Sequence, residues 1–161
     1  MNRTRLLTTM AVLIAMGTLT AQLVWFPAGI ARAYPVQHAI NIVAAVTLGP
    51  GPAVIIAFMI SLLRNLLGLG TLLAFPGSMI GALLAAYLYR LSGKNAFAAL
   101  GESIGSGIIG ALFAVPFAYI FMGSSVGALA FIPPFIVSST TGAIIGLFIV
   151  SRMKIKNIIR I

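Results

Sequence analysis

The sequence predicts an all-α integral membrane protein with six transmembrane helices, and three observations carry that prediction. Of 161 residues, 61% are hydrophobic and 7% are charged, with a mean hydropathy of +1.16. A water-soluble domain of this length needs a far more polar exterior. A membrane span uses roughly 20 apolar residues, so the chain accommodates about six spans on short loops, with no separate soluble domain. The net charge of +9, from ten Lys and Arg against one acid, sits at the ends of apolar runs, where topology signals lie.

The elements follow in order as a single transmembrane domain over residues 1–161. The first span covers 6–26 and ends on Trp25-Phe26-Pro27, an aromatic belt of the kind found at the lipid–water boundary. Ala31-Arg32-Ala33 resembles a signal-peptidase site, but the run before it exceeds the ~7–15 residues of a signal core. A retained helix is therefore expected. A second helix covers 36–48, where Gly49-Pro50-Gly51-Pro52 stops it. The third covers 53–67 and the fourth 75–91. The fifth covers 96–121, broken by Gly123-Ser124-Ser125, and the sixth covers 133–150, starting near Pro133-Pro134.

The second helix is short. Its run covers only about 20 Å at ~1.5 Å per residue, less than the ~30 Å hydrocarbon layer. Either it is a half-span or the preceding loop dips in to meet it, and dipping backbone needs protein or a cavity around it. The anomaly points to a cavity near residues 28–41. With the N-terminus inside, six spans return the C-terminus inside. Arg3, Arg5, Arg90, Lys94, Arg152, Lys154, Lys156 and Arg160 then lie cytoplasmic, with only Arg32 and Arg64 elsewhere, as the positive-inside rule asks.

Several chemistries are excluded. The chain has no cysteine, so disulfides, iron–sulfur clusters and thiolate metal sites are out. One histidine and one acid furnish neither an ordinary zinc site nor paired carboxylates. Gly105-Ser106-Gly107-Ile108-Ile109-Gly110 fits GxGxxG, but no strand precedes it and no acid follows it. Close helix packing through small residues is the better reading, as it is for Gly77-xxx-Gly81 and Gly142-xxx-Gly146. No GxxxxGK[ST] loop exists, so the chain cannot power transport with ATP by itself. No enzyme activity, cofactor or nucleic-acid partner is expected.

The polar residues inside the apolar runs carry the functional signal. Gln37, His38 and Asn41 share one face at the start of the second helix. Arg64-Asn65 lies about 12 residues beyond the Gly-Pro turn, roughly 18 Å by helical rise, at a level His38 and Asn41 can reach. Two readings fit this cluster: a buried network that clamps the helices, or a ligand pocket open to the outside. Glu102 is placed near the cytoplasmic start of the fifth helix, as an interfacial partner of Arg90 or Lys94 or as a proton-coupling carboxylate. Ala11-xxx-Ala15 puts a flat stripe of small residues on the first helix, for internal packing or for a partner's helix.

The stretches Tyr34-Pro35-Val36-Gln37-His38-Ala39-Ile40-Asn41, Leu48-Gly49-Pro50 and Leu63 through Ser78 resemble the ThiW-type S components of energy-coupling-factor (ECF) transporters. The likeness continues through Gly101-Glu102-Ser103-Ile104-Gly105 and Pro134-Phe135-Ile136-Val137-Ser138. The resemblance implies an S-component-like bundle in a prokaryotic cytoplasmic membrane, with both termini cytoplasmic. It implies capture of the thiazole half of thiamine, hydroxyethylthiazole, near the outer face. The partners implied are a transmembrane coupling protein, met through Ala11 and Ala15, and two ATPase subunits. A stand-alone proton-coupled permease for a small neutral solute is the rival. Trp25, Phe26, Tyr34, Phe75, Met79 and Phe135 are the candidates to enclose the ring. His38, Asn41, Asn65 or Ser138 can bond its polar atoms, with Gln37, Arg64 and Ser78 beside them. A ligand of about nine non-hydrogen atoms is capped near −13 kcal/mol, so tight capture requires nearly complete enclosure.

Overall fold

The computed structural model describes residues 2–29, 31–123 and 127–153. Ser124 and Ser125 of the expected turn, and the C-terminal cations Lys154, Lys156 and Arg160, lie outside the described residues.

Six helices form among the described residues. The first, α1 (Arg3–Thr20), opens on Asn2, whose Oδ1 accepts the Arg5 N–H at 2.9 Å and so satisfies one free donor of the first turn. The apolar run continues to Phe26, but the helix does not. Pro27 biases the residue before it towards extended backbone, and Phe26–Ala28 (β1) instead pairs antiparallel with Ala31–Ala33 (β2), Phe26 opposite Ala33. A small hairpin thus stands where the sequence suggested a helix end and a loop.

α2 (Pro35–Leu48) and α3 (Pro50–Leu66) are separated by Gly49 alone, at φ 84°, a conformation costly for any residue with a Cβ. The expected four-residue break is narrower because Pro50 and Pro52 fall in the first turn of α3, where a missing N–H costs nothing. α4 (Ala74–Ser92) is followed by α5 (Asn95–Met122), in which Gly105–Ile109 forms a π turn. α6 (Ala128–Arg152) begins ahead of Pro133 and Pro134 and carries both, at the cost of backbone bonds in its second turn.

Position in the bundle follows composition. α2, buried along most of its length, is the central element, with Ile42 and Val46 in one core cluster with Ile56 and Ile60 of α3 and Val150 of α6, all fully or almost fully buried. Small residues bring backbones close. A Cβ on Gly105 would stand 2.7 Å from Gly81 Cα, and one on Gly101 2.6 Å from Leu84 O, so α4 and α5 touch along a glycine seam. Gly142 and Gly146 seat α6 on Pro35, His38 and Ala39 of α2 in the same way.

The distribution of polarity is inverted relative to a domain in water. Leu129, Leu23, Leu66, Tyr119 and Ile120 are largely exposed, while Gln37, Asn41, Ser61, Arg64, Ser78, Glu102, Ser106 and Ser139 are buried. By length and composition, Asn95–Met122 and Leu129–Arg152 are each able to cross a membrane; Pro35–Leu48 and Pro50–Leu66 are apolar but shorter. One end of the bundle opens into a large cavity. The opposite end gathers Arg5, Leu48 and Met153 around a smaller hollow, so the start of α1 and the end of α6 lie together.

Candidate functional site

The cavity encloses about 940 Å³ and is walled by the hairpin, the start of α2, the α3–α4 connection and the facing ends of α5 and α6. It lies where α2 begins because α2 is short and leaves space above its first turn. Trp25 and Arg32 come from the hairpin region, with the Arg32 guanidinium 4.3 Å from the Trp25 ring. Tyr34 follows the hairpin; its N–H donates to Ser138 Oγ at 2.9 Å, tying hairpin to α6. Phe135, 6.4 Å from Phe131 between ring centroids, completes the aromatic lining.

The polar wall is one connected network. Arg64 is 2% exposed, lies 3.8 Å over the Tyr34 ring and donates to Gln37 Oε1 and to Leu69 O, the latter at 3.3 Å. The Gln37 amide donates to Ser61 Oγ at 3.0 Å and Ser78 Oγ at 2.8 Å. Asn41 donates to Ser78 Oγ at 3.1 Å and to Glu102 Oε1 at 2.9 Å. His38 Nδ1 stands 2.7 Å from the same Glu102 oxygen, and Ser106 Oγ lies 2.8 Å from it. Such a network fixes the side chains as a unit, since loss of any member leaves buried polar atoms unpaired. Three buried atoms have no protein partner among the described residues: Asn41 Oδ1, Arg64 Nε and Glu102 Oε2.

Of the residues singled out in the sequence, Trp25, Tyr34, Gln37, His38, Arg64, Ser78, Phe135 and Ser138 line the cavity. Five do not. Phe26 pairs with Ala33 in the hairpin. Asn41 lies behind the wall in the network, fully buried. Asn65 holds the α3–α4 connection, donating to Ser61 O at 2.9 Å and Thr71 O at 3.0 Å. Phe75 packs on Phe58, 5.5 Å between centroids, and Met79 packs into the main core. Ala11 and Ala15 are exposed on α1, whereas Gly17 of the same helix faces Ile60 and Ile40.

Glu102 corrects the sequence reading. It is not an interfacial partner of Arg90 or Lys94 but is fully buried against His38 and Asn41. Glu102 lies about 10 Å along α5 from its start, while His38, one turn into the short α2, is only about 15 Å from the far end of α2. The two therefore meet at mid-bundle. Ser61, Ser106 and the Leu69 carbonyl were also not foreseen. The i, i+4 spacing of Glu102 and Ser106, and the i, i+3 spacing of Ser61 and Arg64, are the available signals.

The family model described as "Thiamine-precursor transporter protein (ThiW)" matches residues 7–156, nearly the whole chain. The chain belongs to the ThiW family. It is accordingly a membrane protein of thiamine-precursor transport, with a small-molecule ligand. Comparison with curated proteins and with solved structures gives no match. The cavity, lined by Trp25, Tyr34 and Phe135 together with members of the polar network, has the make-up of small-molecule sites.

Proposed function

We propose that the protein is the substrate-capturing S component of an ECF-type importer, with hydroxyethylthiazole as its ligand. The observation that supports this most directly is the cavity at one end of the bundle, combining Trp25, Tyr34 and Phe135 with His38, Ser78 and Ser138. A small heteroaromatic alcohol needs ring faces to stack on and a few fixed polar groups for its nitrogen and hydroxyl. In this reading all six helices span the membrane, the termini lie in the cytoplasm and the cavity faces outward. The exposed apolar side chains around the bundle support a lipid surround. The cationic ends, counted from the sequence, support the orientation. The chain is not an enzyme, and separate ATPase subunits supply the energy through a transmembrane coupling protein that docks on the Ala11–Ala15 face.

Calorimetry on the purified protein tests capture. Hydroxyethylthiazole is expected to bind without ATP, and thiamine and the pyrimidine precursor much more weakly. A folded protein that binds none of the three removes the assignment.

One observation favours a second reading. A buried carboxylate touching a cavity-lining histidine is the arrangement a proton-coupled permease would use. Uptake that survives deletion of the ATPases but is abolished by an uncoupler would establish that reading in place of the first.

A further inference from the structure

We propose that this site selects an uncharged heteroaromatic ring whose nitrogen keeps its lone pair, and rejects the N-alkylated thiazolium of the finished vitamin. His38 Nε2–H is the group that reads the nitrogen, and Glu102 is its positioning residue. The proposal rests on the thiazole reading given above and adds the atom that recognises the ligand and the charge that is refused.

The charges on the cavity wall come first. Arg32, Arg64 and His38 line it, and no acid does among the described residues. The chain has a single acid, and that one is fully buried behind His38. Arg64 meets Gln37, Leu69 and the Tyr34 ring rather than the carboxylate. A cationic ligand would therefore enter a wall carrying its own sign with no counter-charge facing it, and a like charge against a site is a strong means of exclusion.

The state of His38 follows from counting protons. Its Nδ1 is 2.7 Å from Glu102 Oε1, so one proton is shared across that contact. If the pair held only this proton it would carry a net charge of −1, with Nε2 a bare acceptor. If it holds a second proton on Nε2, the pair is neutral overall. A buried net charge is costly without a partner, and Oε1 is already met by neutral donors from Asn41 and Ser106. The two-proton state is favoured. Of the two places for that second proton, Glu102 Oε2 meets no protein acceptor among the described residues, whereas His38 lines the cavity. On this proposal it sits on Nε2, which is then a donor wherever the shared proton sits. Nε2 has no partner among the described residues, and His38 lines the cavity. A ring nitrogen with a free lone pair satisfies that donor. A thiazolium nitrogen has no lone pair and leaves it unpaired, which is how polar sites discriminate most sharply.

The test is calorimetry on the full chain in lipid nanodiscs at neutral pH, with three probes. They are hydroxyethylthiazole, its N-methyl thiazolium derivative, and the thiophene in which C–H replaces the ring nitrogen. The thiazolium is expected to bind at least about 100-fold more weakly than the thiazole, and the thiophene about tenfold more weakly. Glu102→Gln should bring the thiazole-to-thiophene ratio towards one. Its amide oxygen takes the Nδ1–H, and Nε2 becomes an acceptor. Should that variant fail to fold, His38→Phe keeps a ring face, removes the donor and should erase the same ratio. Equal binding of thiazole and thiazolium by wild type overturns the proposal, as does an unchanged ratio in a folded Glu102→Gln or His38→Phe protein. If the thiazole itself does not bind to folded protein, the functional reading falls and takes this inference with it.

Discussion

Gly81 has no room for a side chain. A Cβ there would lie 2.8 Å from Glu102 Oε2 and press on Ser106 Oγ, so one missing methyl group lets α4 pass the buried carboxylate. Gly81→Ala is expected to cost about 1–3 kcal/mol by overpacking and to weaken ligand binding by displacing Glu102. Thermal unfolding with parallel calorimetry checks both, and an unshifted melting temperature would show that the seam yields easily. At this scale the sequence was only partly informative. Gln37 and His38 could each be placed beside Asn41, four and three residues on, by spacing along a helix. Glu102 could not be paired with His38, because its partner lies 64 residues away in the chain and no local period encodes that distance.

The α3–α4 connection is the element whose order bears most directly on the ligand. It is tied down by Asn65, which reaches both Ser61 O and Thr71 O, and by the Leu69 N–H donating to Arg64 O at 2.8 Å. Asn65→Ala removes two hydrogen bonds of about 1 kcal/mol each and is expected to speed ligand dissociation about tenfold while leaving the bundle folded. Trp25, the chain's one tryptophan, lines the cavity and gives a fluorescence signal for stopped-flow measurement. An unchanged dissociation rate would mean that the connection does not retain ligand. Helices were legible as apolar runs, whereas their ends near prolines were not. Pro50 and Pro52 start a helix, Pro133 and Pro134 lie inside one, and Pro27 turns a run into a hairpin. Proline removes a backbone donor but does not say whether that donor was needed.

For the whole molecule, the exposed side of α1 carries the prediction. Leu7, Val12, Met16 and Leu19 flank Ala11 and Ala15 there, all exposed. If this face meets the coupling protein, Ala11→Trp with Ala15→Trp should abolish uptake in cells and leave ligand binding to the isolated protein unchanged, since both positions lie away from the cavity. Uptake at wild-type levels would move docking to another surface, and lost binding would show that the face supports the fold instead.

By itself the sequence determined the helical, apolar character of the chain, the number of helices and which polar residues share the first turn of α2. These are local or compositional properties, written in periodicity and hydropathy. Only the tertiary structure decided that the chain's one carboxylate belongs to His38, that Asn41 and Asn65 act from behind the cavity wall, and that a hairpin packs against α6 beside the cavity. Those outcomes depend on the level at which distant helices pass one another. That level is set by the length of α2 and by glycine-to-glycine contact between α4 and α5, quantities that exist only once the helices have packed.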